Sequence, residues 1–181
     1  VIEVNEMKKV LVIMALIMLI LINKNNKDEL IIPDASIRFR VIASSNTYED
    51  IFEKNKISKY LDKKVFEFIK DSNSAAEAKE ELLNNKSNIS SIIDKYLLEN
   101  KINMNYELNI GKNYFPTKYY KGIKYDAGYY DSVVLKLGES SGMNWWCVIY
   151  PPLCLIDDTD KDEVEYTTLV KEVMNKYQKS L

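Results

Sequence analysis

The chain has 181 residues, 46% hydrophobic and 29% charged, which is room for one domain with a proper core, excludes a disordered chain and makes two full domains a squeeze. Its 25 basic against 27 acidic residues give a net charge of -2 without a concentrated basic face, so no nucleic acid is expected as a partner.

In chain order, Lys8 and Lys9 come first, then thirteen uninterrupted apolar residues from Val10 to Ile22, then a polar run through Asn23, Lys24, Asp28 and Glu29. Two positive charges ahead of an apolar run of about 7 to 15 residues is the layout of a secretory signal. A membrane span wants about 20. Residues 1–23 therefore read as a signal or anchor segment, 24–35 as a polar linker and 36–181 as a single exported domain. No small-x-small cleavage pattern follows Ile22, which allows the segment to stay attached as an anchor. Met7, directly before the lysines, is the expected start.

Within the domain, Ile37, Phe39 and Val41 alternate with Arg38 and Arg40, the pattern of a half-buried strand whose arginines face water, with anion binding by the arginine pair as the alternative reading. Residues 48–70 carry Ile57, Leu61, Val65, Phe68 and Ile69 at helical spacing. Ser74 and Glu77 form a capping-box pattern before a second helix ending near Asn84. Ser87 or Asn88 is expected to cap a third, with Ile89, Ile92, Ile93, Tyr96 and Leu97 on one face. Strands are then predicted over 106–110, 114–120, 133–137 and 144–150, the last two joined by a five-residue hairpin loop at 138–142. A helix over 161–179 closes the chain. The order defines an α+β fold: an N-terminal strand, three helices, a mostly antiparallel sheet of about four further strands, and a C-terminal helix.

Several chemical motifs dissolve on inspection. Gly138-Glu-Ser140-Ser-Gly142 fits G-x-S-x-G, but a nucleophile elbow needs a helix after it and a histidine base, and the chain has no histidine. From Asp158 the acidic run fits the first positions of a calcium loop, but its sixth is Glu163 and its twelfth Leu169, so capping of the last helix is the better reading. The five glycines are all separated and build no phosphate cradle. No cofactor, metal or small-molecule substrate is expected. Cys147 and Cys154 are the only two cysteines. Outside the cytosol an even pair is a disulfide candidate; buried free thiols or a catalytic or metal role are the alternatives.

Both tryptophans, both cysteines and two of the four prolines fall in Gly142-Met-Asn-Trp-Trp-Cys-Val-Ile-Tyr-Pro-Pro-Leu-Cys154. In an extended strand Trp145, Cys147 and Ile149 share one face and Trp146, Val148 and Tyr150 the other, and Pro151 ends the strand. This string resembles the signature of the stage II sporulation protein R family, and Arg38 to Ala43 and Gly128 to Gly138 are similar to other segments of that family.

The resemblance implies a non-enzymatic protein that is exported across the forespore membrane to the intermembrane space. There it would activate a membrane-embedded sporulation aspartic protease, of the stage II sporulation protein GA type, which processes the inactive precursor of the mother-cell sigma factor E. Asn144, Trp145, Trp146, Pro151 and Pro152 are the expected partner-binding residues, since aromatic anchors on a rigid turn suit an interface, with a core position for one or both tryptophans as the alternative. The alternative is an exported thiol, redox or structural envelope protein using Cys147 and Cys154.

Overall fold

The structure is a computed structural model that describes residues 2–25, 32–156 and 162–178. The chain divides into two units, residues 1–30 and 31–181. The first contains α1 (Ile2–Asn25), which takes in the whole apolar run. The apolar side chains from Met7 to Met18 lie on all sides of this helix, which has no polar face, and stand exposed. Among the described residues no helix is long and apolar enough to cross a membrane.

The second unit runs β1 (Ile37–Ile42), α2 (Tyr48–Phe66), α3 (Ala75–Asn84), α4 (Lys86–Glu99), β2 (Tyr106–Phe115), β3 (Lys118–Tyr120), β4 (Ile123–Tyr125), β5 (Gly128–Leu137), β6 (Asn144–Tyr150), a single 3-10 turn and α5 (Glu163–Tyr177). This is the expected α+β order, with five strands after the first among the described residues: the 114–120 stretch divides between β2 and β3, and β4 at Ile123–Tyr125 is additional to the strands predicted. Pro116 cannot donate to a ladder, so Tyr114 and Phe115 lengthen β2 and Lys118 begins a separate strand.

Local chemistry explains the helix ends. Ser74 Oγ accepts from the Glu77 N–H at 3.1 Å, while the Glu77 carboxylate reaches back to the Asn73 N–H at 2.7 Å, so the reciprocal cap closes one residue early. α4 starts ahead of Ser87 and Asn88. Asn85 closes α3 and opens α4 at once, its Nδ2 donating to the Glu81 carbonyl and its Oδ1 accepting from Asn88 Nδ2, each at 2.9 Å, in place of a backbone cap. Asp162 caps α5 by accepting from the Glu165 N–H at 2.8 Å, as the acidic run suggested; residues 157–161 of that run lie outside the described residues.

Four strands form one sheet in the order β2-β5-β1-β6, and β3 and β4 pair separately. β1 lies between β5 and β6, parallel to the first and antiparallel to the second. Residues 138–142 therefore do not turn a hairpin between neighbours. They pass over the end of β1, where the Gly142 N–H donates to Ala43 O and the Ser141 N–H to Ser44 O, each at 3.0 Å. Gly138 needs its freedom here: φ is +50°, and a Cβ would run into the Ser44 side chain.

One sheet face carries Ile37, Phe39 and Val41 with Val133 and Leu135, and α2, α3 and α4 cover it with Ile57, Leu61, Leu82, Ile89 and Ile93 in one continuous core. At its edge the Tyr106 hydroxyl donates to Asp94 Oδ1 at 2.8 Å, and burial together with that carboxylate pushes its pKa up to about 12. Because the folded pKa lies above the unfolded value, this bond's stabilisation is complete below pH of about 10 and is lost on rising toward about 12. Tyr106→Phe is expected to be less stable than the parent at neutral pH, with the gap narrowing across that alkaline window in denaturant titrations.

Candidate functional site

The second sheet face is built by the alternate residues of the same strands. Across β1, β5 and β6 the register sets Arg38 beside Ser132 and Val148, and Arg40 beside Val134 and Trp146. The expectation that the arginines face water fails at Arg38, which is 3% exposed. Period-two alternation is right about which residues share a face, but the β3-β4 pair and α5 cover this one. Tyr166 of α5 stands edge-on to Tyr120 of β3, ring centroids 5.7 Å apart, and Lys118 of β3 holds its ammonium 5.1 Å from the Trp146 ring.

Arg38 and Arg40 bracket the Phe115 ring, their guanidinium carbons 5.4 and 4.7 Å from its centroid. Arg38 also stacks on Tyr130 at 3.3 Å, a cation–π contact strengthened by desolvation. Burial lowers the pKa of both arginines; at Arg38 the nearby Tyr130, Tyr125 and Asp34 pull in the opposite sense. Both stay charged at any physiological pH. Arg40 Nη1 donates to the Tyr114 carbonyl at 3.4 Å. Arg38 Nε and Nη2 are buried without a hydrogen-bond partner, and so is the Trp146 indole N–H.

Arg38, Phe115, Lys118, Trp145, Trp146 and Tyr166 are among the residues lining a cavity of about 200 Å³. Of the expected partner-binding residues, Asn144, Trp145 and Trp146 reach it, and Pro151 and Pro152 do not. Asn144 is exposed, both tryptophans are half-buried, Pro151 is buried and Pro152 half-buried. Trp145 belongs to the helix side, edge-on to Phe39 at 5.5 Å, and Trp146 to the second face, edge-on to Phe115 at 5.5 Å.

The expected alternation along β6 breaks at its end. Ile37 pairs with Tyr150 but Arg38 with Val148, so Ile149 is an extra, bulged residue, and Ile149 and Tyr150 both enter the helix-side core. Past the strand, the Leu153 N–H donates to Pro151 O at 2.8 Å and Val148 O at 3.1 Å. That fold-back returns Cys154 to Cys147, with Cα atoms 5.4 Å apart and the sulfurs at disulfide distance.

Sequence reasoning missed Arg38, Phe115, Lys118 and Tyr166 as one group, because four separate elements supply them. It also missed an aromatic surface: Tyr114 and Tyr129, cross-strand partners on β2 and β5 with centroids 5.5 Å apart, are 51% and 71% exposed. The alternation of 10-residue β2 and β5 could have placed them on one face had both strands been read at full length.

Fold and site together define a small α+β domain whose signature strand ends in a cysteine-closed turn and walls an arginine-floored aromatic cavity. The profile of the stage II sporulation protein R family matches residues 33–160, and the chain belongs to that family. It is 32% identical over 142 residues to stage II sporulation protein R of Bacillus subtilis (strain 168), a match covering 78% of this chain and 63% of that protein. The chain thus spans under two thirds of that relative's length. No solved structure matches.

Proposed function

We propose that this protein is an intercompartmental signal of endospore formation. It crosses the forespore membrane into the intermembrane space, held or released by its 10–22 segment, and activates the membrane-embedded aspartic protease that processes the precursor of the mother-cell sigma factor E. The protease does the chemistry and this chain is its ligand. Family membership over 33–160, a stretch that takes in both β1 and the signature strand, is the observation that carries the reading. The basic pair and apolar run of α1 support export. Exposed Asn144 with half-buried Trp145, Trp146 and Pro152 supply the contact, and buried Pro151 fixes the turn that follows the strand.

The test is co-expression with the protease and the sigma-factor precursor in a non-sporulating host. Precursor cleavage is expected with the full chain and is expected to vanish when residues 7–23 are deleted. Cleavage indifferent to the presence of the chain, or absent although the chain is folded and exported, would overturn the signalling role.

A further inference from the structure

We infer that the cavity on the second sheet face is a carboxylate-binding site, which takes the carboxylate of a peptide segment together with the apolar side chain beside it. Arg38 carries the argument. Its Nε and Nη2 are the two nitrogens on the side edge of the guanidinium fork, the edge that matches a carboxylate with two parallel hydrogen bonds, and these are the two left buried and unpaired. A charged group 3% exposed with unmet donors is costly to keep unless something arrives to meet them. Its plane is fixed in advance by the 3.3 Å stack on Tyr130.

The surroundings repeat the same chemistry. Trp146, which walls the cavity, buries an indole N–H without a partner, and Lys118 adds a second positive charge at the wall. Among the described residues no carboxylate lines the cavity; the Tyr130 hydroxyl and exposed Asp34 both favour the Arg38 charge, and Nε and Nη2 still have no hydrogen-bond partner. The described lining therefore carries two positive charges and no negative one, with the uncharged Asn144 amide and the hydroxyls of Tyr120, Tyr125 and Tyr166 as its side-chain acceptors.

Phe115, Val148, Leu153 and Tyr166 among its other walls are apolar or aromatic and suit a hydrophobic neighbour of the anion. At about 200 Å³ the cavity is smaller than the roughly 300 to 1,000 Å³ of drug-sized ligand sites, which favours one or two side chains over a cofactor. A tetrahedral phosphate would satisfy the flat fork with two oxygens and turn the others onto aromatic walls. The peptide origin of the carboxylate rests on the signalling reading above; the chemistry of the cavity does not.

The chain's two tryptophans give two indole N–H resonances, assignable with Trp145→Phe. The full-length protein would be titrated with N-acetyl-phenylalanine, which offers a chain-end carboxylate, and with N-acetyl-phenylalanyl-glutamic acid α-amide, which offers a side-chain one. N-acetyl-phenylalanine amide and inorganic phosphate serve as contrasts. At least one carboxylate probe is expected to shift the Trp146 resonance saturably, with the neutral amide weaker by about tenfold or more. The stronger of the two identifies the source.

Arg38→Lys keeps the charge but lacks the fork, and is expected to lose about tenfold in affinity. Lys118→Met, at a half-buried wall position, keeps the fold and is expected to weaken binding by about threefold, so the idea stays testable if Arg38→Lys does not fold. Equal titration by carboxylate and amide, saturation by phosphate alone, no shift at all, or affinity unchanged in Lys118→Met and in folded Arg38→Lys would overturn the site. Precursor cleavage does not enter this readout: a cleavage-competent protein that ignores carboxylates loses the pocket alone, and a carboxylate-binding protein without cleavage loses the signalling reading alone.

Discussion

Phe39→Ala is expected to cost about 3 to 5 kcal/mol of folding free energy, the range for emptying an aromatic site in a packed core. Phe39 is 1% exposed on β1, with Val133 on one side, Cys147 on the other and the Trp145 ring edge-on to its own, centroids 5.5 Å apart. Little around it can move in to fill the space, because both neighbours are held by strand ladders. A domain of this size has about 5 to 15 kcal/mol in all, so the loss takes a large share of it. Denaturant unfolding would show the midpoint falling with the slope unchanged. Tyr48→Ala, at 77% exposed, is the control and is expected to stay within about 0.5 kcal/mol. A Phe39→Ala protein as stable as the control would mean that β1 is not the middle of the sheet.

Removing the Cys147–Cys154 link is expected to cost about 2 to 3 kcal/mol, from the entropy the closed ring denies the unfolded chain. The ring is short, so the figure sits low in the usual range. Cys147→Ala with Cys154→Ala measures it, and a thiol reductant added to the parent should lower stability by a similar amount while leaving the double variant unchanged. Cys154 is 4% exposed and packs in the helix-side core, so part of the variant's loss comes from packing, and the reductant experiment separates the two. If reduction leaves unfolding where it was, the two thiols are free. Precursor cleavage by the double variant then distinguishes a structural link from thiol chemistry: a signal with a structural link keeps its activity under stabilising conditions.

Much of the fold was legible because local physics decides it. Ile57, Leu61 and Val65 share the buried face of α2 as their spacing requires, and β6 occupies its predicted span. What escaped depends on partners distant in sequence. Alternation placed Arg38 opposite Phe39 but could not reveal that α5 and β3 roof that side, so a buried cation was read as a wet one. Gly138 to Gly142 has the composition of a hairpin loop, and no local signal says that β1 will occupy the place between the two strands it joins. The bulge at Ile149 answers to the register with Ile37 and Arg38 and was invisible for the same reason. The cavity was half legible: Asn144, Trp145 and Trp146 stand together in one string, while Arg38, Phe115, Lys118 and Tyr166 meet only in three dimensions.

The insertion of β1 between β5 and β6 also sets a timetable. The first strand made is the one whose two neighbours are made last, so its ladders close loops spanning most of the domain, and loop closure of that kind slows folding. Helices α2 to α4 can form as they emerge, but they have only half a core to pack against until β5 and β6 arrive on either side of Phe39. A chain delivered amino terminus first thus has neither a closed sheet nor an arginine-floored cavity until delivery has passed Tyr150, and its native surfaces appear together, late.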